Sequence, residues 1–250
     1  MRVYWLLVRR ELGTFFVSWT GYIIIAAALF IMGLSFAGIL QALNTEPLTL
    51  TIHELFYESV AFWLVLLVAT PVLTMRLFAQ EKQSGTFETL MTAPVSDVQV
   101  VLAKFTAALV FYGLMWLPLV AITLTLRQYT RQAAIVDFGA LAGAMAGVLL
   151  LGMLYVAIGC LASALTRSQV VAAMLSFVTG LAIFLGGYLA YAVPPQLGWP
   201  HAVLSQMNIY QHLQDLSRGV VDSRAVVFCL STTFLFLFLT LRAVESRRWK

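Results

Sequence analysis

From Leu12 to Thr45 the chain carries no charged side chain, and the same holds for residues 105–126, 138–166 and 168–200. A run of about 18 or more apolar residues is long enough to cross bilayer hydrocarbon as a helix. In lipid each backbone amide must bond within its own segment, so such a run folds as a helix rather than a lone strand. Two shorter uncharged runs, 59–75 and 225–241, are lengthened by apolar neighbours. At about 20 residues per span, six helices are expected, near 18–40, 56–78, 100–124, 138–165, 168–192 and 222–242. Together they fill residues 1–250 as a single transmembrane domain and leave no length for a second soluble one. The expected class is an all-α membrane protein. Composition agrees: at 61% apolar, 10% charged and a mean hydropathy of +0.91, an ordinary soluble domain is excluded.

The placement of the charges orients the spans. With the N-terminus inside, the inner side holds Arg2, Arg9, Arg10, Arg76, Lys82, Lys104, Arg167, Arg242, Arg247, Arg248 and Lys250, and the outer side holds Arg127, Arg131, Arg218 and Arg224. That is 11 basic residues against 4, the asymmetry expected when loops rich in Lys and Arg stay cytoplasmic. Both termini are therefore expected in the cytoplasm, and the basic residues need no nucleic acid to explain them.

Between the spans the sequence is punctuated. In the first 19 residues, Trp5, Val8, Leu12, Phe15, Phe16 and Trp19 share one arc of a helix, while Arg2, Arg9 and Arg10 fall outside it. An interfacial helix, apolar face to lipid, is expected there. Pro71 and Pro118 predict kinks in spans two and three. Gly139, Gly143 and Gly147 form a small-residue stripe on span four, a surface that lets two helix backbones approach closely. The spacing fits packing within one subunit and a dimer contact equally. Pro194 to Pro200 cannot continue a helix, and the amphipathic stretch from His201 to Asp222 predicts an outer helical hairpin before span six. Cys160 and Cys229 give no disulfide framework and are expected as buried small residues.

The loop after span two is the exception to all this apolarity. It reads Arg76-Leu77-Phe78-Ala79-Gln80-Glu81-Lys82-Gln83-Ser84-Gly85-Thr86-Phe87-Glu88-Thr89-Leu90-Met91-Thr92-Ala93-Pro94. Glu81, Lys82, Gly85, Thr86, Glu88, Leu90 and Pro94 match, without departure, the loop pattern E-K-x-x-G-T-x-E-x-L-x-x-x-P of type-2 ABC transporter permeases, which this chain resembles. The tail Ser217-Arg218-Gly219-Val220-Val221-Asp222 before span six is similar to the gliding-motility and nitrous-oxide-reductase-maturation branch of that family. The resemblance implies the transmembrane subunit of an ATP-driven exporter in a bacterial inner membrane. It implies a dimer with a second permease copy or a paralogue, coupled through this loop to a separate ABC ATPase subunit. A short cytoplasmic coupling helix is expected over Gln83–Met91, starting near Ser84 or Thr86.

The residues weigh against other classes. Lys82, Lys104 and Lys250 follow Glu81, Ala103 and Trp249, so none completes the Gly-Lys of a Walker A loop. No cofactor is expected in this chain; ATP and magnesium belong to the partner. His53, His201 and His212 all fall in outer loops, no H-E-x-x-H or G-x-S-x-G occurs, and no catalytic or metal-binding residue is assigned. A secondary transporter or channel working without ATP is the alternative. It would need ionisable groups near the bilayer centre, where none of the six expected spans has one.

Overall fold

The computed structural model describes residues 2–45, 56–87, 95–130, 138–192, 206–220 and 222–246. Its principal helices are α1 (Arg2–Val17), α2 (Trp19–Thr45), α3 (Val60–Thr74), α4 (Ala79–Ser84), α5 (Asp97–Thr130), α6 (Phe138–Leu165), α7 (Gln169–Ala192), α8 (Ile209–Ser217) and α9 (Ser223–Glu245). No strand occurs among the described residues. Six helical stretches are long and apolar enough to cross a membrane: Trp19–Gln41, Val60–Ser84, Asp97–Thr125, Phe138–Leu165, Gln169–Leu189 and Ser223–Glu245.

The centre of the bundle is α6, which packs against α3, α5, α7, α8 and α9. Its small residues explain the closeness of these contacts. A Cβ on Gly152 would meet the ring of Tyr112 on α5, and one on Gly159 would meet the side chain of Thr74 on α3. The Tyr112 hydroxyl, fully buried, donates to the Val148 carbonyl at 3.1 Å. Around this contact Phe62, Trp63 and Trp116 form an aromatic layer with Phe56 and Tyr57. By contrast α2, α7 and α9 carry many exposed large apolar side chains, such as Phe30, Met174 and Phe234. In a bundle without water around its waist, such faces are ordinary lipid contacts.

Pro71 lies one turn before the end of α3. A proline has no N–H to give to the carbonyl four residues back. Next to it Thr70 Oγ1 donates to the Leu66 carbonyl at 2.6 Å, and Thr74 Oγ1 to the Thr70 carbonyl at 2.8 Å. Hydroxyls therefore reinforce the helix where the backbone ladder is interrupted. Beyond Thr74 the chain passes through turns to Phe78 and restarts as α4.

The small-residue stripe of α6 faces α8 rather than another span. A Cβ on Gly143 would lie 2.3 Å from the Leu216 carbonyl oxygen, and one on Gly147 would lie 2.7 Å from the Leu213 side chain. α8 buries Ile209, Leu213 and Leu216 in this contact and is capped by Asn208, whose side chain accepts from the Gln211 amide at 3.2 Å. It lies within the stretch His201–Asp222 where a hairpin is expected; residues 201–205 and 221 lie outside the described residues.

The α1 helix departs from expectation. Val8 is buried against Ala103 and Ala107 of α5, with Leu12 and Phe15 packed around it. Trp5, Phe16 and Trp19 are exposed. The apolar arc assigned to lipid is thus shared: one edge meets α5 and the other faces outward. The reason is Glu11, which points the same way as Val8 and is drawn into the protein by a buried lysine.

A clamped charged segment as the candidate site

Arg10, Glu11, Arg76, Glu81, Lys82 and Lys104 gather at the end of the bundle where α1 ends, α3 turns into α4 and α5 begins. Lys104 is the pivot. Its side chain is only 2% exposed, yet Nζ lies 2.8 Å from Glu81 Oε1 and 3.2 Å from Glu11 Oε2, over the Phe78 ring at 5.4 Å. Arg10 Nη2 completes the cluster, 2.8 Å from Glu11 Oε1 and 3.6 Å from Glu81 Oε1. Two carboxylates and two cations balance. A buried ammonium held by one carboxylate and one aromatic face would be poorly satisfied; the second carboxylate supplies what burial removes. Glu81 thereby ties α4 to α5 and α1 together.

A second set of contacts holds the same segment against α6. Ser163 Oγ, fully buried, accepts from the amides of Phe78 and Ala79, each at 3.0 Å, and donates to the Met75 carbonyl at 3.1 Å. These amides open α4 and would otherwise be orphan donors. Lys82 Nζ donates to the Ala164 carbonyl and lies 5.2 Å from the centre of the Phe87 ring. That places a cation at the C-terminal end of α6, where the helix dipole favours it.

α4 ends at Gly85, which has φ +74° and a left-handed conformation. Nothing lies within 4 Å of where its Cβ would be, so glycine is required here for backbone angle and not for close approach. Gln83, Ser84, Gly85 and Thr86 are exposed. The Ser84 and Thr86 hydroxyls are 2.8 Å apart across the turn.

Of the loop residues singled out in the sequence, Glu81, Lys82, Gly85 and Thr86 are thus brought together, with the first two turned inward and the last two outward. Glu88, Leu90 and Pro94 lie outside the described residues. Of the helix expected over Gln83–Met91, starting near Ser84 or Thr86, the structure describes Gln83 to Phe87: Gln83 and Ser84 close the preceding helix at the left-handed Gly85, Thr86 and Phe87 are helical again, and residues 88–91 lie outside the described residues. Gly139, Gly143 and Gly147 sit at the opposite end of α6 and take no part.

Sequence reading missed Glu11, Lys104 and Ser163. A signal for Lys104 was present. It falls inside the stretch expected as span three, and an ionisable residue inside a span calls for a partner. For Ser163 nothing beyond its place before a tight turn distinguished it. No group of three metal-ligating side chains occurs among the described residues. Cys160 and Cys229 are buried and free.

A comparison with curated proteins finds no match for this chain. The model of the family described as ABC-2 family transporter protein matches residues 33–244, a region that includes Glu81, Lys82, Gly85, Lys104 and Ser163 and begins after α1. With six membrane-length helices and one continuous match over most of its length, this multi-pass membrane protein belongs to the ABC-2 transporter family, the membrane subunits of ABC transporters.

Proposed function

We propose that the chain is the transmembrane subunit of an ATP-driven exporter, working as a dimer in a bacterial inner membrane with N- and C-termini in the cytoplasm. A separate ATPase subunit docks on the loop that begins at Glu81. The observation that carries this reading is the two-sided character of that loop. Its inner side is clamped to α1, α5 and α6 through Glu81, Lys82 and the amides bound by Ser163. Its outer side, Gln83 to Thr86, is exposed. ATP-driven closure of two ATPase subunits is a rigid-body movement. A segment free on one side and fixed to three helices on the other would pass that movement to all three at once. The 11-to-4 basic asymmetry supports a cytoplasmic location for this end of the bundle.

The test is reconstitution with the cognate ATPase. Stimulation of ATP hydrolysis by the chain, in a complex holding two copies of it, is the expected result. Gradient-driven flux through proteoliposomes that contain the chain alone would favour a transporter working without ATP. An active complex with one copy would remove the dimer.

Orientation is testable separately with an impermeant thiol reagent on intact cells. Ser84 and Ser246 are exposed, so cysteines there report cleanly and should be shielded. Ser217, at the other end, is fully buried and unsuited to labelling; Val220, 59% exposed, is the position expected to react. Labelling at Ser84 from outside would reverse the orientation.

A further inference from the structure

A cleft of about 570 Å³ opens between the α1–α2 junction and the start of α4. Among its lining residues are three cations, Arg10, Lys104 and Arg76, and two carboxylates, Glu11 and Glu81. Arg10, Lys104, Glu11 and Glu81 close on one another in the clamp. Arg76 does not join them. Among the described residues it has no carboxylate within 4 Å; both of its side-chain hydrogen bonds come from Nη1, to Ser18 Oγ at 2.9 Å and Thr20 Oγ1 at 2.6 Å. Its Nε is buried without a partner. The cleft therefore holds one surplus positive charge, on a guanidinium that presents unused donors and is fixed in place by two hydroxyls.

The surroundings say what kind of anion fits. Arg76 directly follows the uncharged run 59–75 and lies in the cleft with the charged residues of the clamp, at the polar end of the bundle. Beside the cleft, Phe16, Val17, Trp19, Tyr22 and Ile23 are all exposed. Exposed Trp and Tyr on an apolar face mark the headgroup level of a bilayer. An anion that arrives there carrying its own apolar tail would bury the tail on the open face of α2 and leave its phosphate at Arg76. A guanidinium matches phosphate oxygens well, since its planar N–H groups donate in parallel.

We propose that Arg76 binds the phosphate of a phospholipid headgroup, with the acyl chains lying along the exposed face of α2. The site rests on the chain being a membrane protein and not on the coupling role proposed for the loop, so the permease is tested without any ATPase. The protein is purified from nanodiscs of phosphatidylethanolamine and phosphatidylglycerol, and retained lipid is counted by native mass spectrometry. The parent protein should keep phospholipid adducts through mild activation. In Arg76→Gln the retained fraction should fall about tenfold or more, the loss of one charge-assisted contact. Arg76→Lys should keep an intermediate fraction, and Arg242→Gln, which removes an exposed cation of α9, should behave like the parent. Thermal unfolding of each variant in detergent shows whether the fold persists; should Arg76→Gln unfold, the Arg76→Lys result decides. A second arm adds inorganic phosphate to detergent-solubilised, lipid-stripped protein. Protection by phosphate alone, lost in Arg76→Gln and without retained lipid, would replace the lipid with a free phosphate. Equal lipid retention in the parent, Arg76→Gln and Arg76→Lys would overturn the site.

Discussion

The two ends of the bundle are held by different physics. At one end Lys104, Glu11, Glu81 and Arg10 join α1, α4 and α5 by charge, and Ser163 joins the turn before α4 to α6 by hydrogen bonds. At the other, α8 packs closely on α6, with the Leu216 backbone resting where Gly143 has no side chain. A charged junction is specific about its partners and severe when one is missing, because the remaining charge stays buried. A close-packed junction is specific about size. The end that carries the exposed turn Gln83–Thr86 is the one built from charge. That arrangement lets a polar surface face outward while the same residues' neighbours stay fixed inside.

The largest expected effect is at Lys104. Lys104→Met leaves Glu11 and Glu81 facing each other with only the half-exposed Arg10 as counter-charge and should cost about 3–5 kcal/mol, the cost of breaking a buried pair. Thermal unfolding in detergent measures it. Combining Lys104→Met with Glu11→Gln and Glu81→Gln should recover much of the loss, since no buried charge is then left alone. If Lys104→Met alone unfolds like the parent, the charged end is held by something else. The same contacts mean that Glu81→Ala is not a clean probe of partner docking: it weakens the fold as well.

At the opposite end Gly143→Ala should destabilise by about 1–3 kcal/mol, because the new Cβ meets backbone that cannot turn aside. Gly113→Ala provides the contrast. Its Cβ would have only the Leu149 side chain nearby, at 3.6 Å, an ordinary contact. Equal behaviour of the two variants would break the description of the α6–α8 contact as size-limited.

Ser163→Ala removes the acceptor of two buried amides and should cost about 1–3 kcal/mol. Hydrogen exchange at Phe78 and Ala79 should rise with it. The smallest of these effects is at Gly85. Gly85→Ala has room for its methyl group, so only the left-handed backbone opposes it, at roughly 1–2 kcal/mol. Gly85→Asn should cost less, because asparagine tolerates that conformation better. Equal losses for alanine and asparagine would point to a steric reason instead.

Much of the architecture was legible because it follows from long-range composition. Uncharged runs bounded by charges define the six membrane-length helices, and nothing in a lipid environment competes with the helix for them. Position on a helix face was legible only in part. Val8 and Trp5 share an arc in α1, but which edge meets protein depends on Lys104, nearly a hundred residues away in sequence. The stripe Gly139, Gly143 and Gly147 announced close packing without naming its partner; the contacts between spans run instead through Gly152 and Gly159, which no simple spacing connects to that stripe. In the loop, the pattern of residues marked the site, but it did not show that Glu81 and Lys82 turn inward while Gly85 and Thr86 face out. That division depends on Glu11, Lys104, Ser163 and Ala164, all supplied by other elements.

The central claim is that the outward side of this loop receives the ATPase, and its most direct test is co-purification with the cognate ATPase, with permease-stimulated ATP hydrolysis as the second readout. Thr86→Arg and Ser84→Arg are suitable variants, because both side chains are exposed and neither takes part in the ion pairs of the clamp. Their thermal unfolding should match the parent, while ATPase affinity falls about tenfold or more, as expected when a desolvated charge-assisted contact is lost or opposed. If both variants bind the ATPase and stimulate hydrolysis as the parent does, the exposed turn is a solvated connector and the coupling assignment is contradicted.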